Sequence, residues 1–130
     1  MTNLLGARVK EGWMAGLPPH PENRRRVSGA YLSLIEVSFS ELRKDLQHLL
    51  ESTWAEAVRR RAEELSGTLA RACERQSLDE LAAVARSLAN LARLPRAKAL
   101  PIQTALREKF DALMREAARL LHVESKRRLG

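Results

Sequence analysis

The sequence has a single cysteine, Cys73, and few aromatic or glycine residues. One cysteine excludes an intramolecular disulfide and any zinc site built from several cysteines. Because aromatic residues make up only 4% of the chain and hydrophobic residues 45%, the core must be built mainly from leucine, alanine and valine. A chain rich in alanine, leucine, arginine and glutamate, with only six glycines, strongly favours helix.

Long apolar runs are also missing. No segment approaches the roughly 20 apolar residues that a membrane-spanning helix needs, and residues 1–16 lack the extended apolar core of a signal peptide. We therefore expect a cytoplasmic protein with no membrane partner. At 130 residues, the chain is long enough for one domain with a single core.

The sequence lacks the residue patterns of known catalytic and metal sites. The three histidines, His20, His48 and His122, do not have the i, i+4 spacing beside carboxylates that a helical metal site shows. There is no phosphate-binding glycine-rich loop, no Gly-x-Ser-x-Gly elbow and no dinucleotide fingerprint. We expect a protein without enzymatic activity, cofactor or metal.

Prolines divide the chain into an N-terminal arm and a body. Residues 1–23 comprise a weakly helical stretch, Thr2–Met14, and a link, Ala15–Asn23, in which three prolines within four residues forbid helix. Residues 24–130 form the expected domain, an all-α, up-down helical bundle of four main helices. Short connections between successive helices imply that neighbouring helices are antiparallel.

The first helix of the body is predicted over Arg26–Leu50, where apolar residues recur at helical spacing. A competing pattern covers Tyr31–Phe39, in which apolar residues at odd positions give a partial strand alternation. A lone strand needs a partner, and the rest of the sequence supplies none. Helix is therefore favoured, and a strand over Tyr31–Phe39 stays open as the alternative.

Two capping boxes, Thr53–Glu56 and Ser77–Glu80, predict the starts of the second and third helices. The third helix is predicted to end near Pro95. The last begins at Pro101, which suits a first helical turn, and runs to about Glu124. The residues predicted to face the core on these three helices are Trp54, Val58, Ala62, Leu65, Leu69, Cys73, Leu81, Val84, Ala85, Leu88, Leu91, Ala92, Ile102, Leu106, Phe110, Leu113, Ala117, Leu120 and Leu121.

Two apolar residues of the first helix, Leu32 and Val37, lie off its main apolar stripe. A bundle of this length has a limited interior in which to bury them. We therefore expect a homo-oligomer, in which another copy of the chain covers apolar surface.

The formal charge is +7, from 23 basic and 16 acidic residues, and 18 of the basic residues are arginine. No acid occurs between Glu80 and Glu108, which leaves a locally uncompensated basic stretch. Arginine suits phosphate because its planar guanidinium can donate two parallel hydrogen bonds. The residues predicted to bind nucleic acid lie in this stretch and in the run before the first helix: Arg86, Arg93, Arg96, Lys98, Arg107, Arg24, Arg25 and Arg26.

Together these patterns predict a small, basic, non-enzymatic accessory protein that binds nucleic acid or a ribonucleoprotein through arginine-rich helix faces. No aromatic platform accompanies the bases, so contacts to the phosphate backbone should dominate over base stacking and base readout. The alternative is a protein–protein adaptor or regulatory bundle that binds no nucleic acid, with an acidic protein surface as a possible partner. In that case the arginine bias reflects solubility or the nucleotide composition of a genome.

Overall fold

The structure is a computed structural model and describes residues 29–129, with side chains described up to residue 127. The predicted arm and link at 1–23, together with Arg24, Arg25 and Arg26, lie outside the described residues.

Four main helices make up the described chain: α1 Gly29–Glu51, α2 Glu56–Arg75, α3 Asp79–Ala92 and α4 Gln103–Leu129. A single helical turn, Arg96–Ala99, and a 3₁₀ turn, Leu100–Ile102, form the linker between α3 and α4. Residues 29–129 contain no strand, so Tyr31–Phe39 is helical and the strand alternative is wrong. The all-α helical bundle predicted from the sequence is confirmed.

Contacts between helix ends define an up-down arrangement. The Tyr31 hydroxyl, near the start of α1, lies 3.5 Å from the carbonyl oxygen of Ala72, near the end of α2. At the opposite end of the bundle, the side-chain amide of Gln103, the first residue of α4, donates to the carbonyl oxygen of Leu50 at 2.7 Å. Both α1 and α3 pack against α2 and α4. The helices therefore form a closed ring of antiparallel neighbours.

Leucine and alanine fill the interior, as the low aromatic content requires. Most of the residues predicted to face the core are buried, whereas Leu65, Leu91 and Leu113 are half-buried against it. The largest fully buried apolar side chains are Trp54, Ile35, Leu42, Leu49, Leu69, Leu88 and Leu106.

Two residues are placed differently from the sequence prediction. Leu32 is only 2% exposed, because it lies seven residues before Phe39 and five full turns before Leu50, and therefore shares their buried face of α1. Ile102 is 45% exposed, because it lies in the 3₁₀ turn before α4 and the α-helical spacing does not extend to it. Val37, at 58% exposed, is on the surface as predicted.

The prediction of a capping box at Ser77 is wrong, because Ser77 belongs to the turn that ends α2 and does not start α3. Its φ of 62° is left-handed. Its amide donates to the carbonyl oxygen of Glu74 at 3.0 Å, and the next amide, that of Leu78, donates to the carbonyl oxygen of Cys73 at 2.8 Å. This pair of hydrogen bonds is the Schellman motif of a helix C-terminus. No side-chain hydrogen bond caps the start of α3.

The prediction of a capping box at Thr53 is wrong for the same reason, because Thr53 belongs to the turn that ends α1. Thr53 and Trp54 have φ values of 55° and 64°, and the Trp54 amide donates to the carbonyl oxygen of Leu49 at 3.1 Å, which closes the C-terminus of α1. The N-cap of α2 is Ala55, which has no side chain that could cap. A Ser/Thr-x-x-Glu pattern that follows another helix directly can therefore mark the end of the first helix.

The turn after α1 packs on the linker and on α4. The indole Nε1 of Trp54 donates to the carbonyl oxygen of Leu94 at 2.7 Å, and the indole ring stacks on Phe110 with 6.3 Å between centroids. Arg96 Nε donates to the carbonyl oxygen of Thr53 at 3.1 Å. These contacts join the turn after α1 to the linker between α3 and α4 at this end of the bundle.

Replacing Ser77 with glycine is expected to raise the free energy of unfolding by about 1 kcal/mol, because glycine adopts a left-handed φ without steric penalty. Thermal unfolding followed by circular dichroism measures the change. Ser87→Gly, on the exposed face of α3, is the matched control and should cost about 0.5 kcal/mol. A loss at Ser77 as large as that at Ser87 would contradict the C-terminal role of Ser77.

Candidate interaction surface

Arg86 of α3 and Arg93, the C-cap residue of α3, have acidic partners in the fold; we call these two residues the α3 arginines. Arg86 forms an ion pair with Glu74, and Arg93 Nε donates to Glu63 Oε2 at 2.8 Å. Both acids lie on α2, which runs antiparallel to α3. The prediction of an uncompensated basic stretch is therefore wrong for these two residues, because the compensating charge comes from the preceding helix.

Glu63 bridges two arginines on neighbouring helices. Its Oε1 accepts from Arg59 Nη1 at 2.9 Å, while its Oε2 accepts from Arg93. Arg59 also donates to both carboxylate oxygens of Glu56, at 2.9 and 2.8 Å, and to the carbonyl oxygen of Ala92 at 3.3 Å. The network ties the first two turns of α2 to the C-terminus of α3, and it leaves Arg59 largely covered.

The other predicted basic residues do not join this face. Arg96 donates to the carbonyl oxygen of Thr53 and so has a structural role at the end of the bundle. Lys98 in the linker and Arg107 in α4 are exposed, and neither forms an ion pair within the described residues. The fold thus separates the predicted phosphate-binding residues into the α3 pair and the linker end.

A broad depression lies over α2, between α1 and α3; we call it the α2 depression. Its volume of 1170 Å³ exceeds the roughly 300–1,000 Å³ of small-molecule clefts. Its small and apolar lining residues are Ser38, Leu65, Gly67, Thr68 and Ala89. Its basic lining residues are Arg60, Arg61, Arg71 and Arg93, and its acidic ones are Glu41, Asp45, Glu63 and Glu64.

Sequence reasoning did not identify the α2 depression. Its one local signal is Gly67, a glycine in the interior of a long helix, where it lowers helix stability relative to alanine. The remaining lining residues come from three helices, and their proximity depends on how these helices pack. Arg61 and Asp45, for example, form an ion pair at 3.1 Å between α2 and α1.

The remaining reactive side chains do not form a site. Cys73 is fully buried, and this burial raises the pKa of its thiol to about 12. His48 and His122 are exposed. Among residues 29–129, no three histidine, cysteine or carboxylate side chains come together in a group that could hold a metal ion. Nor does this part of the chain contain a helix whose length and apolarity would allow it to cross a membrane.

The ion pairs of α2 should make the fold sensitive to acid. Hydrogen bonding by Arg59 lowers the pKa of Glu56 from 4.5 to about 2, and hydrogen bonds from Arg93 and Arg59 lower the pKa of Glu63. Because each folded-state pKa lies below the unfolded one, these groups stabilise the fold above about pH 4.5. That stabilisation is lost as the pH falls through the folded-state values.

We therefore expect the Tm to fall between about pH 4.5 and pH 2, and to fall less in the Glu56→Gln/Glu63→Gln variant. Thermal unfolding across this range checks the prediction, with Glu108→Gln as a control at an exposed glutamate outside these pairs. The double variant and the wild type should differ at pH 6 and converge near pH 2. A difference in Tm between the wild type and the double variant that stays constant from pH 6 to pH 2 would contradict the prediction.

The chain matches no family model, no curated protein and no solved structure.

Proposed function

We propose that this protein is a non-enzymatic adaptor or regulatory bundle whose α2 depression receives another protein. The observation that carries the proposal is the balance of charge in the depression, where four arginines lie among four carboxylates. A surface for a polyanion needs uncompensated positive charge, because affinity comes from neutralised phosphates. Interspersed charges with short side chains between them instead suit a protein surface of complementary pattern.

The pairing of the α3 arginines supports the same conclusion. A phosphate that approached Arg86 or Arg93 would have to displace Glu74 or Glu63, or bind beside a carboxylate. Both options weaken phosphate binding. A protein partner can use the same residues as they stand, since it can offer a base to each acid and an acid to each base.

Position-specific photo-crosslinking tests the proposal. A photoreactive amino acid at Thr68, in the α2 depression, should give a protease-sensitive, nuclease-resistant adduct in cells that produce the protein. The same amino acid at Glu108, which is exposed on α4, is the control and should give none. Absence of an adduct at Thr68, or equal adducts at both positions, would contradict the proposal.

Nucleic-acid binding is the second candidate function, and it is favoured by Lys98 and Arg107, which are exposed and form no ion pair with residues 29–127. Three to five neutralised phosphates predict a log–log salt slope of about −3 to −4.5 on duplex DNA. Lys98→Gln/Arg107→Gln should then reduce the slope by about 2, one unit for each lost contact. Arg96 is left unchanged because its hydrogen bond to Thr53 supports the fold. Salt titrations that coincide for wild type and variant would exclude this end of the bundle as the binding surface.

A further inference from the structure

The N-terminal arm carries an apolar stripe of its own. Leu5, Val9 and Trp13 follow one another at intervals of four residues, so a helix over residues 2–14 would place all three on one face. We propose that this segment binds in the α2 depression of the same chain, and that a partner protein must displace it in order to bind. This inference rests on the proposed function and adds the regulation of the same surface.

The start of α1 places the depression within reach of the arm. The α1 residues that line the depression, Ser38, Glu41 and Asp45, follow Gly29 by 9 to 16 residues, which is roughly 14–24 Å along a helix. Residues 15–28 connect the segment to α1. Fourteen residues span at most about 46 Å when extended and roughly 20 Å as a coil. The connection is therefore long enough, and its average length matches the distance that it has to span.

The covalent connection favours this segment over an occupant that arrives from solution. A segment on a short linker is present at an effective concentration of about millimolar, and this value is highest when the average length of the linker matches the span. A free protein must in addition lose translational and rotational freedom when it binds. The segment therefore occupies the depression ahead of any partner that makes similar contacts.

The uncharged lining of the depression fits an apolar helix face. It includes Leu65, which is half-buried, and the small residues Gly67, Thr68 and Ala89. Among the described residues, a Cβ at position 67 would meet only the Arg71 guanidinium, at 3.6 Å, so the bundle itself gives no steric reason for a glycine there. Because the distance between packed helices depends on the side chains at the contact, these small residues let another helix come close. An amphipathic helix that lies in such a groove is a common mode of peptide recognition.

The charged residues around the depression contribute little to this contact, because most of them are paired within the bundle. The pairs are Arg61–Asp45, Arg93–Glu63, Arg60–Glu56 and Lys44–Glu41. Arg71 Nη2 donates to Thr68 Oγ1 at 3.4 Å, and Glu64 is exposed. Residues 2–14 carry two bases and one acid. We therefore expect apolar side chains to dominate the contact, so that it persists at about 0.5 M salt, where exposed charges are screened.

Photo-crosslinking of the purified chain tests the contact. A photoreactive amino acid at Thr68 should link to residues 2–14 of the same chain, and the product should keep the mass of one chain. Mass spectrometry of the digested product identifies the linked residues. The same amino acid at Glu108, which is exposed on α4, should link to this segment at least about tenfold less, because the tether alone does not hold the segment there.

Two variants separate the contact from the effect of the tether. Trp13→Ala should lower the ratio of bound to free segment by about tenfold or more, because it removes the largest apolar side chain of the stripe. Leu17→Ala is the matched control, since Leu17 is an apolar residue of the connection outside the segment, and it should leave the yield of the link unchanged. Gly67→Gln places a longer polar side chain in the depression and should also reduce the link. The helical content should stay the same, because a Cβ has room at position 67.

A Thr68 link to a second copy of the chain or to residues outside 2–14 overturns the inference, as does an unchanged link in Trp13→Ala. The proposed function is tested separately by the Thr68 adduct with a partner in cells. If both proposals hold, Trp13→Ala should raise the yield of that adduct, because the segment no longer competes. A partner adduct that Trp13→Ala leaves unchanged, with no link within the chain, overturns this inference and leaves the proposed function standing. A link within the chain without a partner adduct supports the binding of the segment and contradicts the proposed function.

Discussion

Replacing Trp54 with alanine is expected to lower the free energy of unfolding by about 3–5 kcal/mol, as for other large buried aromatic residues. Trp54 is 1% exposed, its ring stacks on Phe110, and its indole Nε1 donates to the carbonyl oxygen of Leu94. The side chain therefore holds the turn after α1 against both the linker and α4. Its removal leaves a cavity and deprives the Leu94 carbonyl of its indole donor.

Urea unfolding followed by far-ultraviolet circular dichroism measures this loss. Trp54→Phe is the matched variant, because it keeps an aromatic ring in the site and removes the indole donor. It should cost about 1–3 kcal/mol, the penalty of leaving a buried acceptor unsatisfied. Equal losses in the two variants would show that the ring packing on Phe110 does not stabilise the fold.

Replacing Leu32 with alanine is expected to cost about 2–5 kcal/mol, the range for a buried leucine. Leu32 is 2% exposed, and it lies on the same face of α1 as Phe39 and Leu50. Val37→Ala is the matched control on the same helix. Since Val37 is 58% exposed, this control should change stability by no more than about 0.5 kcal/mol.

The two substitutions also test the rotation of α1 in the bundle. If Leu32 lay off the buried face of α1, as predicted from the sequence, both changes would be small and equal. A larger loss at Val37 than at Leu32 would require α1 to be turned about its axis. Homo-oligomerisation was expected from both residues, but the burial of Leu32 leaves only Val37 as exposed apolar surface of that pair.

Helix ends show where local sequence patterns stop being informative. The apolar spacing of Tyr31, Ile35 and Leu42 predicts α1, because a helix repeats its faces every 3.6 residues whatever packs against it. The ends depend on hydrogen bonds that the chain makes after leaving the helix. Ser77 carries the signature of an N-cap, yet its left-handed backbone and the Leu78 amide close α2 instead.

The ion pairs on the surface also depend on tertiary packing and cannot be predicted from local sequence. A count along the chain finds no acid for Arg86 and Arg93 between Glu80 and Glu108. In space, Arg86 pairs across 12 positions of sequence and Arg93 across 30. Such partners cannot be read from local spacing, because they depend on which faces of α2 and α3 meet.

The sequence by itself determined the helical class, the positions of the four helices and most of the residues that face the core. These follow from the periodicity of apolar side chains and from the prolines, which act within a few residues along the chain. The tertiary structure alone decided the exposure of Ile102, the pairing of the α3 arginines and the existence of the α2 depression. Each of these depends on how helices distant in sequence pack side by side, and the spacing of residues along one helix does not show which residues of another helix lie beside it.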